Sequence, residues 1–140
     1  CRCTPDQVAR YQGKLSGPLL DRIDLHVEVP QLPAADLLNA PAGEASSAVR
    51  ARVAQAYARA LARQGQPNQA LQGQQLDQMA ALDDAAARFL QTAAARLAWS
   101  ARGTHRALKV ARTIADLAGS EHITVAHVAE AMQYRRTLHD

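Results

Sequence analysis

The chain has 140 residues, 16 Lys+Arg against 13 Asp+Glu, a formal net charge of +3, and 48% hydrophobic residues. That is enough apolar material for one ordinary domain with a real core, which excludes wholesale disorder. Aromatics supply only 4%, so the core must be built from Ala, Leu and Val, and this composition predicts packed helices. No run approaches the roughly 18 apolar residues of a membrane span. Cys1 to Arg10 carries no apolar stretch of the kind that opens a secreted precursor. A cytoplasmic protein is expected.

Cys1 and Cys3 are too close together for an ordinary structural disulfide. They read as two reduced thiols in a cytoplasmic protein, or as half of a metal site whose other ligands lie elsewhere. Thr4-Pro5-Asp6-Gln7 starts a short helix, with Thr4 as cap and Pro5 in the first position. It should stop between Gly13 and Gly17. Ser16-Gly17-Pro18 then opens a further turn carrying Leu19, Leu20, Asp21 and Arg22. Strict alternation over Asp24 to Val29, with Leu25, Val27 and Val29 on one face, predicts a β-strand ended by Pro30. No second strand is visible, so this one would need a partner outside the chain. Pro33, Pro41 and Gly43 make the segment to Ala45 a linker, with at most a turn around Asp36 to Leu38.

From Ser46 onward the pattern is helical. Ser46 or Ser47 caps a helix with Val49, Val53, Ala56, Tyr57, Ala60 and Leu61 at helical spacing, broken by Gly65 and Pro67. Gln69 to Gln78 is ambiguous. Asp83 or Asp84 caps a helix whose face is Ala86, Phe89, Leu90, Ala93, Ala94 and Leu97. Thr104 is read as the cap of the next, with Leu108, Ala111, Ile114, Ala115 and Ala118 inward and Gly119 as its stop. Thr124 caps the last, with Val125, Val128, Ala129 and Met132 inward. The expectation is an all-α fold: a bundle of about four helices over residues 46–140, preceded by a piece of mixed α/β structure.

Several chemistries have no motif in these 140 residues. There is no G-x-x-x-x-G-K-[ST], no G-x-S-x-G and no H-E-x-x-H. His122 and His127 flank a helix start, His105 reads as an exposed polar residue, and His26 alternates onto the polar face of the expected strand. The second part of the chain, residues 46–140, holds the positive balance; its cations are either solvated helix faces or nucleic-acid contacts. Arg22, before the alternating segment, and Arg102, in a joint between helices, are either surface ion pairs or phosphate clamps. A guanidinium suits the second role because it is permanently charged and forked.

Longer motifs resolve part of this. Ser16-Gly-Pro-Leu-Leu-Asp-Arg-Ile-Asp-Leu-His-Val-Glu-Val-Pro30 and Ser100-Ala-Arg-Gly-Thr-His-Arg-Ala-Leu-Lys-Val-Ala-Arg-Thr-Ile-Ala-Asp-Leu117 resemble the magnesium-chelatase-like AAA+ ATPases of the YifB/ComM type. Gly43-Glu-x-Ser46 with Val49-Arg50-x-Arg52-Val53 matches as well, as does Ile123-Thr-x-x-His127-Val-x-Glu130-Ala131 with Tyr134-Arg135. The resemblance implies that residues 1–45 are the tail of an ATPase core, not independently folded, and residues 46–140 its C-terminal helical lid. It further implies Arg22 as an arginine finger and Arg102 as the sensor-2 arginine, with ATP and Mg²⁺ as cofactors of the full-length protein and none expected in this part. Cys1 and Cys3 would be the second half of a C-x-C…C-x-C cluster. Partners would be neighbouring subunits of a ring, a hexamer by analogy, with DNA as a further candidate. The whole would be an ATP-driven DNA remodelling motor in transformation or recombination. Two other readings stay open: a chelatase motor that drives Mg²⁺ into a porphyrin, and a free-standing helical DNA-binding module.

Overall fold

A computed structural model describes residues 3–20, 22–33 and 41–135, and every regular element among them is helical. Helix α1 (Pro5–Gln12) begins on a complete capping box between Thr4 and Gln7. Helix α2 (Gly17–Leu20) is a single turn. Neither buries a residue. Helix α3 (Ser46–Gln64) has Ala45 in the cap position and stops at Gly65, whose φ of 72° is the left-handed conformation that glycine adopts without penalty. Neither serine caps it; Ser46 is already helical.

A 3₁₀ turn (Asn68–Ala70) and helix α4 (Gly73–Met79) fill the Gln-rich stretch whose structure the sequence leaves ambiguous. Leu71 and Leu76 anchor it, both with 0% exposure. Helix α5 (Asp84–Arg96) starts where Asp83 accepts the Ala86 N–H at 2.7 Å. Ala86, Leu90 and Ala93 face inward, while Leu97 is exposed.

Helix α6 (Ala101–Ala118) starts one turn earlier than the sequence suggests. Ser100, not Thr104, is the cap: its Oγ accepts the Gly103 N–H at 3.0 Å, and Thr104 instead donates its hydroxyl to the Ser100 carbonyl at 3.1 Å. Both residues are good caps by type. Ser100 prevails because the chain reverses just before it, at Ala98 with φ 48°. Arg102 therefore sits in the first turn of α6 rather than in a joint. Helix α7 (Val125–Gln133) begins at Thr124, with His127 completing a capping box.

The strand expected over Asp24 to Val29 is absent. The segment is irregular, Val27 and Val29 are exposed, and the His26 N–H donates to the Tyr134 carbonyl at 2.7 Å. Alternation fixes which side of a strand would be apolar but cannot supply the neighbouring strand. The turn expected at Asp36 to Leu38 and the cysteine at position 1 lie outside the described residues.

Helix α6 is the central element, packed against α3, α7 and the 3₁₀ turn, while α5 packs on α7. Leu71, Leu76, Leu90, Leu108, Ile123 and Val128 fill the core, with Ala86, Ala111, Ala115 and Ala131 between them. A parallel bridge joins Leu82 to Ile123 and fixes the start of α5 against that of α7.

One polar cluster is set inside this apolar frame. Asp116 accepts a forked pair of bonds from Arg63 at 2.6 and 3.0 Å, and another from Asn68 at 2.8 Å. Arg112, on the preceding turn of α6, lies 3.1 Å away. It also donates to the carbonyls of Ser120 and Glu121 at 2.6 and 2.7 Å. Arg112 and Asp116 are 0% and 1% exposed. The cluster ties α3, the 3₁₀ turn, α6 and the loop after α6 to one point.

Candidate functional site: an arginine-lined cleft

On α6, Arg102, Arg106, Lys109 and Thr113 recur at helical spacing and share a face. That face, the stretch from Gln69 to Leu76, residues 22–25, and Glu130 with Tyr134 enclose a cleft of about 1100 Å³. Its floor is apolar, with Leu71, Leu76, Val110 and Ile114; its rim carries Arg22, Arg102, His105, Arg106 and Lys109. The structure thus brings Arg22 and Arg102 to one cleft, although 80 positions separate them in the sequence.

The cations of the rim fall into two groups. Arg106 pairs with Asp24, and Lys109 donates to the Gln69 carbonyl at 3.0 Å. Arg22 and Arg102 are exposed, and no hydrogen bond or ion pair engages either side chain among the described residues. The surface ion pair, the ordinary alternative for both, is not formed there. Helix α6 has no acidic residue in its first turn, where a carboxylate would favour the dipole and Arg102 opposes it. An exposed cation at the positive end of an 18-residue helix attracts an anion more than it stabilises the helix.

The other candidates separate from this site. His127 is a capping residue: its Nδ1 accepts the Thr124 N–H at 3.1 Å. His122 is exposed, and Cys3 is a free, exposed thiol. Among the described residues no group of three His, Cys, Asp or Glu is arranged to hold a metal, and no helix is long and apolar enough to cross a membrane. Sequence reasoning missed Arg106 and Lys109 as cleft residues. Their signal was the spacing from Arg102 along one helix face.

The chain matches the C-terminal family model of the magnesium chelatase ChlI subunit over residues 43–135 and the ChlI subunit model over residues 1–37. It belongs to the magnesium-chelatase-like family, and the all-α lid-like fold agrees with that membership. Among relatives it is 44% identical to the competence protein ComM of Haemophilus influenzae, over 96% of this chain and 26% of that protein. It is 43% identical to the YifB proteins of Salmonella typhimurium and Escherichia coli, over 96% of this chain and 27% of theirs. The chain spans about a quarter of the length of these curated relatives.

Proposed function

We propose that this chain is the nucleotide-sensing C-terminal part of a ring-forming AAA+ ATPase of the ComM/YifB type. Residues 1–45 are the end of the ATPase core and residues 46–140 the lid. The observation that carries the reading is a pair of arginines on one cleft, Arg22 and Arg102, neither engaged by a partner among the described residues. Family likeness alone would leave those residues without a shared site.

The cleft fits a nucleotide's phosphates. It has room for them, an apolar floor, and on its rim the guanidinium groups of Arg22 and Arg102, which have no partner among the described residues, with two further cations beside them. ATP supplies the bond that is cleaved. The residues of this chain supply charge: as the phosphoryl group transfers, negative charge spreads over its equatorial oxygens, and a guanidinium placed there lowers the barrier. Arg22, from the core, is the arginine finger that reaches a neighbouring subunit's ATP. Arg102, on the first turn of α6, is the sensor-2 group. Because both line the same cleft of the same chain, both serve the same neighbouring ATP, and α6 is moved by it. The likeness to a competence protein supports DNA as what the whole motor remodels. The chelatase-motor reading rests on the family model alone.

Mixing subunits tests the assignment. Full-length Arg22→Ala protein and a phosphate-loop variant should each be inactive alone. Together they should regain ATP turnover, since one supplies the phosphate loop and the other the arginine across a head-to-tail interface. No recovery in rings shown to be mixed would mean that Arg22 does not act across subunits.

A further inference from the structure

Residues 22–26 bear the finger, yet they belong to the part of the chain that precedes the bundle. They are tied to the bundle at four points. Arg106 Nη1 donates to the Arg22 carbonyl at 2.7 Å, and the same guanidinium pairs with the Asp24 carboxylate. Arg135 Nη1 donates to the Ile23 carbonyl at 3.4 Å, a long bond. The His26 N–H donates to the Tyr134 carbonyl at 2.7 Å. Arg135 is itself seated under the start of α6, over the Trp99 ring at 5.7 Å and beside Gly103.

Arg106 follows Arg102 by one turn of α6 on the same face, a rise of about 6 Å. The backbone of Arg22 is therefore bonded to a side chain one turn away from Arg102. We propose that Arg106 is a positioning residue, which fixes Arg22 to the lid helix so that Arg22 and Arg102 approach the same phosphate as one body. The inference rests on the function proposed above and deepens it. Nucleotide-driven movement of α6 then carries Arg22 with it, coupling the lid's position to the rate of hydrolysis. Asp24 is 55% exposed and Arg106 is half-buried at 25%; an ion pair with one partner in solvent contributes little to folding, so Arg106→Ala and Asp24→Asn should leave the bundle folded.

Asp24 separates positioning from simple charge. It lines the same cleft, and Asp24→Asn removes a negative charge from it. If charge in the cleft were all that mattered, this variant would bind ATP more tightly and turn over at least as fast. If Asp24 and Arg106 hold Arg22 in place, the variant should be slower.

The test measures steady-state ATP hydrolysis and hydrogen exchange in the full-length protein. Arg106→Ala and Asp24→Asn should each lower kcat by about tenfold, the scale of a misplaced reacting group, with KM for ATP unchanged within about twofold. The double variant should be no worse than either single one, and Arg106→Lys should recover part of the rate. Exchange should rise in the peptide holding residues 22–29 and stay unchanged in α6. A higher KM with normal kcat in Arg106→Ala would show direct phosphate binding and overturn the proposal, as would a faster Asp24→Asn. Arg22→Ala is measured alongside. If it is crippled while Arg106→Ala turns over normally, the positioning role alone falls. If Arg22→Ala is itself normal, the proposed function falls, and the positioning role with it.

Discussion

Full-length protein carrying Arg22→Ala should bind ATP nearly as tightly as the parent and hydrolyse it at least ~10²-fold more slowly. The separation follows from when the charge develops. Bound ATP already has its negative charge matched elsewhere; the charge that spreads over the transferring oxygens exists only near the transition state. A group acting there lowers kcat and leaves affinity alone. A factor of ~10² corresponds to about 2.7 kcal/mol of lost transition-state stabilisation, modest for a guanidinium in this role. Arg102→Ala should behave differently. It stands on the first turn of α6, the element that a bound nucleotide would displace under the proposed function, so its loss should slow hydrolysis and also blunt the nucleotide-induced change of the lid. ATP affinity and single-turnover rate, measured on the same preparations, check both. A normal rate for Arg22→Ala within assembled rings would return that residue to an ordinary surface cation.

The largest effect on stability is expected at Asp116. Asp116→Ala should cost about 3–5 kcal/mol, because it leaves the Arg112 guanidinium buried without its counter-charge. Arg63 and Asn68 lose their shared acceptor in the same step. For a chain of this size the melting temperature should fall by roughly 10 °C or more. The effect has a pH signature with a definite sign. Burial pushes the Asp116 carboxyl upward, but hydrogen bonds from Arg63 and Asn68 and the charges of Arg112 and Arg63 outweigh it, so its pKa lies below the ordinary carboxylate value. A depressed folded-state pKa gives stability that is fully present above the unfolded value, about 3.9, and is lost as pH falls through the folded value. The parent should therefore lose stability on acidification below about pH 4, and Asp116→Ala should lose less over that range. Urea unfolding at pH 7 and pH 3 measures this. Equal stability of parent and variant at pH 7 would show that the cluster is not a support of the bundle.

Most helix boundaries were legible because they rest on local chemistry. Thr4, Asp83 and Thr124 offer side chains to free N–H groups, and Gly65 and Gly119 adopt the left-handed turn that ends a helix. The start of α6 was misread because Ser100 and Thr104 are equivalent caps locally, and only the reversal at Ala98 distinguishes them. Alternation at Leu25, Val27 and Val29 was a true pattern without a partner strand, so it gave the wrong element. The site was half visible. Arg22 and Arg102 stood out through family motifs, and the cleft brought them together. Arg106 stayed hidden because its acceptor lies 84 positions earlier. Arg112 and Asp116, at a spacing that looks like an exposed helix pair, gave no sign that both are buried.

Rings assembled from equal parts of Arg22→Ala and Arg102→Ala subunits put the shared cleft to the most direct test. If both arginines of one chain serve the same neighbouring ATP, every cleft in the mixed ring lacks one of them, and ATP turnover should stay at the level of the two variants alone. If they serve different nucleotides, one across the interface and one within the subunit, random mixing would leave about a quarter of the sites complete, and turnover would rise well above either variant, contradicting the single-cleft assignment.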